Sequence, residues 1–523
     1  MKKFLATLLT AVMMLTILTA GVSFASAADA PTTYGGNDVS KEVALQYLMV
    51  GTKQPDHDLV WSMISDYVKT KINATITCTV IDLADHDTKY GLMLASGEPY
   101  DLVVTAQGWL HYDTEAPAGA YQEITLDMIH QYMPLTTQYQ TDIETHMDQN
   151  RLADGKVYMV PASLINLTGN TFAVSIREDI RQANGVPAVT DVASLEAYYD
   201  SVKASNPEMY PYAASVNNNE LKGLLYRTAN DKIQLTGSVL EDFFTFEYTP
   251  GMTAEDAAAA LTFAGNDPLY ADYAKLMKSW ADKGYWSRSA IADTTLVRDA
   301  YENGQSASFV QNTGTMGVAN NTLRSKGFTP LMIDLFPTAI RYKGATTSGV
   351  AIPHSSQNVE RALMFLDLLK YDKTVYELYR WGIEGKHWEW VDEANRVWKA
   401  GPNQDQYVFG QGSWGFSSPE FEPRNMEGSD PEAMAIFGGW WADGIQVANP
   451  LAGLNIDQST IQNEIAALTN VRAEYLYLLD LGLVDDVDAT IAAMNEAAKT
   501  AGLDKVMEEI QRQISAWIAK NAQ

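Results

Sequence analysis

The stretch Glu42–Leu83, EVALQYLMVGTKQPDHDLVWSMISDYVKTKINATITCTVIDL, decides the fold class. It begins with an apolar run that ends at Gly51, which predicts a buried strand. The next section places Val60, Ile64 and Val68 on one face of a helix, and ATITCTVIDL then returns as a second strand. A strand, a helix and a strand in this order indicate a parallel α/β unit.

Similar patterns continue toward the C-terminus. DTKYGLMLASGE predicts a helix and YDLVVTA a strand, and VYMVPASLINLTGNTFAVSIREDIRQANG predicts two strands and a helix that open a second α/β unit. SASFVQ is typical of a further strand, whereas the last fifth of the chain predicts three helices separated at LGLVDD and TAGLD. The sequence therefore predicts α/β architecture followed by C-terminal helices.

The totals limit the class of protein. A chain of 523 residues predicts two to four folding units, since domains average about 100–200 residues. A content of 46% hydrophobic and 20% charged residues is typical of a soluble globular protein. The formal net charge of −28 repels nucleic acid and anionic lipid, so we expect neither as a partner.

The first residues predict export. Lys2 and Lys3 precede the apolar run FLATLLTAVMMLTILTAGV, and ASA at 25–27 fits a small-x-small cleavage site. We expect residues 1–27 to form a cleavable signal peptide, with an uncleaved membrane anchor as the alternative. The remaining sequence contains no run of 18 apolar residues, so it predicts no later transmembrane helix.

The only cysteine, Cys78, lies inside a predicted strand. An exported chain with one cysteine must be stable without an intramolecular disulfide. We expect Cys78 to be a small buried hydrophobe, and its position far from the cleavage site excludes it as a lipidated N-terminal residue.

Aromatic residues in glycine-rich surroundings provide the first indication of a ligand. Sugars offer hydroxyl groups and apolar C–H faces, so their sites combine flat aromatic rings with fixed hydrogen-bonding groups. The chain has 12 tryptophans and 27 tyrosines. The tryptophans in loop-like sequence are Trp109, Trp381, Trp388, Trp414, Trp440 and Trp441. The polar residues nearby that could bind hydroxyl groups are Gln107, Asn312, Thr313, Glu384 and Asp443, although each could equally be structural.

The order of several motifs resembles a known family. SGEPYDLVVTAQGW is followed by GAYQEIT, GKVYMVP, NGQSASFVQNTG, GIEGKHWEW, NPLAGLNID and AGLDKVMEEIQRQISAW. This order is similar to that of extracellular solute-binding proteins of ABC importers, in the carbohydrate-type branch with an extra C-terminal helical segment. The resemblance covers nearly the whole chain after the signal peptide.

The resemblance implies a two-lobe, periplasmic-binding-protein-like (type II) clamshell with a hinge and C-terminal helices. Lobe one would comprise 37–160 and 300–348, and lobe two 161–299 and 349–523. The crossings would lie near Val160–Pro161, Asp293–Thr295 and Gly349–Pro353. The candidate tryptophans and polar residues named above would then face the cleft between the lobes. The alternative for Trp381 and Trp388 is that their segment only packs the C-terminal helices onto lobe two.

The resemblance also implies a function and a location. A monomer would capture a carbohydrate, such as an oligosaccharide, and pass it without cofactor or chemistry to the permease subunits of an ABC importer. Relatives from Gram-positive cells usually carry a lipidated cysteine at the cleavage site, but this chain has ASAADA there. We therefore expect a periplasmic or secreted protein without a lipid anchor.

The sequence gives little support to catalysis. It lacks a GxSxG nucleophile elbow and an HExxH zinc motif, and DDVDATIAAMNE lacks the central glycine of a calcium loop. His387 lies between Glu384 and Glu389, but isolated histidines rarely form metal sites. We therefore expect no catalytic or metal-binding residues. A secreted glycoside hydrolase, with two carboxyl groups distant in sequence, and a ligand-presenting sensor subunit remain open as alternatives.

Overall fold

The computed structural model describes residues 30–521 apart from several short gaps. The gaps are 153, 163–170, 217–219, 238, 294–296, 344–347, 409–415, 417–419, 422–424, 427–435, 437–438 and 441–444. The predicted signal peptide and the predicted site residues Trp414, Trp441 and Asp443 lie outside the described residues.

The strands are short, and nine of them form the two largest sheets. They are β1 Thr33–Tyr34, β2 Asn37–Asp38, β3 Val43–Val50, β4 Ala74–Ile81, β5 Leu102–Ala106, β6 Met159–Pro161, β7 Phe172–Arg177, β8 Tyr210–Tyr212, β9 Lys232–Gln234, β10 Phe244–Glu247, β11 Thr262–Phe263, β12 Ser306–Asn312, β13 Pro330–Ile333, β14 Arg341–Lys343, β15 Ser348–Ala351, β16 Trp388–Asp392, β17 Val397–Ala400, β18 Asn425–Met426 and β19 Gln446–Ala448.

Helices surround the sheets and make up most of the C-terminal segment. The α-helices are His57–Ile72, His86–Ala95, Tyr112–Glu115, Leu126–Tyr132, Pro134–Tyr139, Ile143–Asp148, Glu178–Ala183, Val192–Ser205, Leu240–Phe243, Ala254–Ala260, Pro268–Asp282, Val297–Glu302, Thr313–Ser325, Val359–Tyr371, Lys373–Trp381, Gln462–Val471, Tyr477–Asp480, Val487–Thr500 and Leu503–Asn521. Gly223–Arg227 and Arg472–Leu476 are π-helical, and the 3₁₀ turns are Thr228–Asn230, Ala264–Asn266, Ala290–Ala292 and Gln404–Gln406. None of the described helices is both long and apolar enough to cross a membrane.

The first sheet has the order β4-β3-β5-β15-β6. β3 runs parallel to β4 and β5, so the strand–helix–strand unit predicted from Glu42–Leu83 is confirmed. The intervening helix buries Val60, Ile64 and Val68 completely. It ends at Asn73, which has a φ of 47° and whose Nδ2 donates to the carbonyl oxygen of Val39 at 3.1 Å. A short polar side chain tolerates this left-handed conformation, which stops the helix and turns the chain into β4.

The second sheet has the order β13-β7-β12-β8. β7 is antiparallel to β12 and β13, and β12 is parallel to β8. A separate hydrophobic cluster covers this sheet and extends into the C-terminal helices. Trp286 joins the two regions, because its buried Nε1 donates to the carbonyl oxygen of Leu481 at 2.9 Å. The C-terminal helices therefore pack beside the second sheet.

The predicted lobe boundaries are wrong for two segments. Residues 300–348 were expected in lobe one, but β12 pairs with β7 over five positions. The core residues of β12 belong to the hydrophobic cluster that covers the second sheet. Residues after 349 were expected in lobe two, but the helices Val359–Tyr371 and Lys373–Trp381 pack in the hydrophobic cluster that contains the strands of the first sheet. Asp367 fixes the first of these helices by accepting hydrogen bonds from the backbone N–H groups of Leu135 and Thr136 at 2.9 and 2.6 Å.

The first lobe is therefore defined here as residues 30–161 and 348–407, and the second as 172–343 and 445–521. The chain passes from one sheet to the other between Pro161 and Phe172 and again between Lys343 and Ser348. The first crossing begins directly after Val160–Pro161, where a crossing was predicted. Gly349–Pro353, predicted as a crossing, begins inside β15. Residues 294–295 of the remaining predicted crossing lie outside the described residues.

Candidate functional site

The ends of the two sheets meet at the boundary between the lobes. In the first sheet, Ser348 of β15 lies opposite Ala106, the last residue of β5. In the second sheet, Asn312 at the end of β12 lies opposite Phe172 at the start of β7. The chain crosses beside these positions, so the loop after β5 and the start of the helix after β12 lie at the boundary. Ligands of open α/β sheets collect beyond the carboxyl ends of strands, which makes this boundary the candidate site.

Charged residues from both lobes meet there. The carboxylate oxygens of Glu241 in the second lobe lie 3.6 Å from the position that a Cβ atom would occupy on Gly108 in the first lobe. Asp113 of the first lobe accepts a hydrogen bond from the Gly108 N–H through Oδ1 at 3.1 Å. Its Oδ2 lies 3.8 Å from the corresponding Cβ position of Gly237 in the second lobe. The two lobes thus contact each other through carboxyl groups and glycine backbone.

An unusual helix brings further groups to the same place. Gly223–Arg227 is π-helical, a conformation often found at functional sites. Thr228 Oγ1 donates to the Gly223 carbonyl oxygen at 2.9 Å, which satisfies a group at the start of this turn. The turn packs closely on Phe172. A Cβ atom placed on Gly223 would lie 2.7 Å from the ring of Phe172. The Arg227 guanidinium lies over the same ring, 5.8 Å from its centroid.

The cleft cluster consists of Asp113, Glu220, Arg227 and Glu241. Burial raises the pKa of Glu241 to about 8, together with repulsion from Asp242, Asp113 and Glu220, while Arg227 acts in the opposite direction. Burial also raises the pKa of Glu220, again against the effect of Arg227, and raises the pKa of Asp113. A protonated carboxyl group donates one hydrogen bond and accepts others. The cluster can therefore both donate hydrogen bonds to hydroxyl groups and accept hydrogen bonds from them.

The residues predicted at the strand ends lie beside the cluster but serve mainly structural roles. Gln107 is buried, and its Nε2 donates to Asn150 Oδ1 at 3.1 Å. Asn312 caps the helix Thr313–Ser325, because its Oδ1 accepts from the Thr315 N–H at 3.0 Å. Thr313, the first residue of that helix, is also buried. Their assignment to the ligand remains a prediction.

Gln311 has a more direct contact with the cluster than its neighbours. Its Nε2 donates to Glu220 Oε1 at 3.4 Å. Trp109 is half-buried, packs on the first core and meets the ring of His86 edge-on at 5.2 Å between centroids. Trp109 follows Gly108, so it remains a candidate for ligand contact at the boundary.

The proposed platforms Trp381 and Trp388 are wrong. Each is only 1% exposed, so neither ring offers a face to a ligand. They meet edge-to-face at 4.8 Å and form a small core with Trp390 and Trp398. Trp388 Nε1 donates to the Gly382 carbonyl oxygen at 3.0 Å. The hairpin β16–β17 folds these rings inward, which glycine content alone does not reveal.

The same segment is attached to the first lobe. His387 is fully buried, accepts the Ile383 N–H through Nδ1 at 2.9 Å and places Nε2 2.9 Å from Asp56 Oδ2. Burial lowers the pKa of His387, against the effect of Asp56. Glu384 lies on an exposed turn, where its charge contributes to raising the pKa of Glu377, after burial, to about 7. The segment therefore has a packing role, as the alternative proposed, but it packs on the first lobe and not on lobe two.

Trp440 precedes the C-terminal segment of the second lobe and packs in the hydrophobic cluster of that lobe. It is 3% exposed, its Nε1 donates to Asp334 Oδ2 at 2.6 Å, and the Arg341 guanidinium lies 4.8 Å from its ring centroid. It borders a cavity of about 550 Å³ beside the outer strand β13, which Leu331 and Met332 also line. This cavity does not include the cleft cluster.

Sequence reasoning missed the cleft cluster and Phe172. Arg227 and Glu241 lie on separate short helices and Glu220 lies in a turn, and no motif connects them with Asp113. The only local signal is Gly223 within an apolar helix, where a glycine lowers helix propensity without an evident reason. Among the described residues, no group of three acidic, histidine or cysteine side chains is arranged to hold a metal ion.

Comparison with known proteins identifies similar chains. Residues 450–519 match a family described as "Domain of unknown function (DUF3502)". A carbohydrate ABC transporter substrate-binding protein of Streptococcus pneumoniae serotype 4 is 20% identical over 508 residues, which cover 92% of each chain. The N-glycan transport solute-binding protein NgtS of Streptococcus pneumoniae, solved in complex with Man5GlcNAc, is 18% identical with a TM-score of 0.71. That match covers 92% of this chain and all of the other.

A second solved structure extends the range of ligands in this fold. The alginate-binding protein AlgQ2, solved without calcium ion, is 16% identical with a TM-score of 0.63 over 91% of this chain and 99% of the other. These matches confirm the resemblance to carbohydrate-type solute-binding proteins of ABC importers. They also confirm the two-lobe α/β fold.

Proposed function

We propose that this chain is a solute-binding protein that captures an oligosaccharide between its lobes and delivers it to the permease of an ABC importer. The observation that carries this proposal is the alignment with the pneumococcal carbohydrate-binding relative over 92% of each chain. An alignment of that extent includes both lobes, the crossings and the C-terminal helices.

The chemistry of the boundary supports a sugar ligand. The cleft cluster supplies hydrogen-bond donors and acceptors, and the half-buried ring of Phe172 lies beside Arg227. Such a combination suits the hydroxyl groups and C–H faces of a glycan. Closure of two lobes around the ligand by a hinge would then create the form that a permease recognises.

The proposal includes a location. The relatives function as the extracytoplasmic components of importers, so we propose that residues 1–27 direct export and are then removed. The mature protein would be a periplasmic or secreted monomer. Mass spectrometry of the protein from its native host would identify the N-terminus, and a mass that includes residues 1–27 would contradict this part of the proposal.

Calorimetry and an activity assay together test the function. Purified mature protein is titrated with neutral mannose-, fructose- and lactose-based oligosaccharides and with uronate, sialylated and sulfated ones, and we expect at least one glycan to bind with micromolar affinity, which corresponds to about −8 kcal/mol. The bound glycan should be recovered unchanged after prolonged incubation. Hydrolysis of the glycan, and its loss in Glu241→Gln, would instead support the alternative of a glycoside hydrolase. Absence of any glycan binding would refute the proposal.

A further inference from the structure

We propose that the cleft cluster restricts the ligand to uncharged glycans and excludes those that carry carboxylate, sulfate or phosphate groups. This inference rests on the proposed function, since it names the class of carbohydrate that the same boundary accepts. The two-lobe fold does not itself decide this property, because its relatives include a protein for N-glycans and one for alginate, a polyuronate.

Carboxyl groups lie on both sides of the boundary between the lobes. Asp113 comes from the first lobe, and Glu220 and Glu241 come from the second. Glu241 approaches the Gly108 backbone, and Asp113 approaches that of Gly237, each across the boundary. A ligand held between these walls therefore has carboxyl groups on both sides.

Two cations near the cluster form ion pairs with carboxylates outside it. Arg472 Nη1 contacts Asp242 Oδ2 at 2.8 Å. Lys222 Nζ contacts Asp480 Oδ2 at 3.3 Å and donates to the Asp242 carbonyl oxygen at 2.9 Å. These contacts neutralise Arg472 and Lys222, so neither is available to compensate an anionic ligand.

Arg227 is the cation of the cleft cluster. In the described part of the chain, no carboxylate forms a salt bridge with its guanidinium, which lies over Phe172 instead. Its charge opposes the raised pKa values of Glu220 and Glu241 but does not abolish either shift. One guanidinium among three carboxyl groups leaves a site that disfavours added negative charge.

The environment of Glu241 favours uncharged groups over negatively charged ones. Burial and three neighbouring acids raise its pKa to about 8, so the site keeps this carboxyl group neutral. A carboxylate on a ligand would meet the same loss of water and the same neighbours. An uncharged hydroxyl group avoids both costs and can bind Asp113 Oδ2, a buried atom with no hydrogen-bond partner in the described structure.

Paired glycan libraries test this inference on the mature full-length protein. One library contains neutral mannose-, fructose- and lactose-based oligosaccharides, and the other contains uronate, sialylated and sulfated oligosaccharides of matching length. We expect the best neutral ligand to bind at least 100-fold more tightly than any acidic one. An acidic glycan that binds as tightly as the best neutral one would overturn the inference while supporting the proposed function. Failure of both libraries would refute the proposed function itself.

Variants that cannot ionise identify the residues responsible when they are compared with wild type above pH 8, where Glu241 carries its charge. The double variant Glu220→Gln and Glu241→Gln should lower the ratio of neutral to acidic affinity at least tenfold, whatever its effect on absolute affinity. The control Glu255→Gln removes an exposed acid on the helix Ala254–Ala260 and should leave the ratio unchanged. Thermal unfolding confirms that each variant is folded. An unchanged ratio in a folded double variant would assign the selectivity to other groups.

Discussion

Replacement of Trp388 by alanine separates packing from ligand binding in the aromatic segment. The indole is 1% exposed, meets Trp381 at 4.8 Å and Trp390 at 5.1 Å between ring centroids, and donates to the Gly382 carbonyl oxygen. Truncation of a buried tryptophan to alanine costs about 3–5 kcal/mol, because it removes contacts and leaves a cavity. The loss includes the hydrogen bond to Gly382, which contributes about 1 kcal/mol.

This loss should appear as a lower melting temperature of the first lobe. For a lobe of this size, 3–5 kcal/mol corresponds to a decrease of about 6–20 °C. Far-UV circular dichroism is the suitable measurement, since removal of an indole also changes the fluorescence. The glycan affinity, measured by calorimetry well below the transition, should remain within about twofold of wild type because the ring does not reach the cleft cluster.

A matched control is available in the same small core. Trp390 is only partly buried, so Trp390→Ala should destabilise the lobe less than Trp388→Ala. The reasoning would be refuted by a Trp388→Ala protein that melts at the wild-type temperature but binds glycan at least tenfold more weakly. That result would restore Trp388 as a ligand platform.

Three further perturbations test other parts of the structure. Gly223→Ala should weaken glycan binding about tenfold, since a Cβ atom would lie 2.7 Å from the Phe172 ring, whereas Gly317→Ala has open space and should have no effect. Burial lowers the pKa of Lys370 to about 7; its charge therefore destabilises the fold fully below pH 7 and progressively less toward pH 10.5. Denaturant unfolding should show wild type gaining stability relative to Lys370→Met across that interval, and a constant difference would contradict this. The raised pKa of Glu241 predicts that glycan affinity falls above pH 8, while Glu241→Gln, measured by the same titrations, should show no such step.

The first strand–helix–strand unit shows what local pattern can predict. Val60, Ile64 and Val68 repeat at helical spacing and are all buried, while the β-branched run before Cys78 forms β4 as expected. These features depend on side chains close in sequence. The order of the motifs along the chain then carried the family resemblance that implied the two-lobe fold.

The aromatic segment and the lobe boundaries show where this reasoning failed. Glycines around Trp381 and Trp388 suggested an open loop, but a hairpin that folds back on itself buries both rings. SASFVQ was recognised as a strand, yet its pairing with β7, more than 120 positions away in sequence, was not. Strand pairing between distant segments depends on the competition among all strands, which local spacing does not contain.

The sequence by itself determined the class of protein: an acidic α/β chain with a predicted export signal, and motifs in the order of a solute-binding protein. Only the tertiary structure decided which segments form each lobe and which side chains meet between them. Asp113, Arg227 and Glu241 lie on three short helices and Glu220 lies in a turn, without a shared motif. They form one cluster because the crossings place two sheet ends against each other, and such a juxtaposition arises from packing over the whole chain.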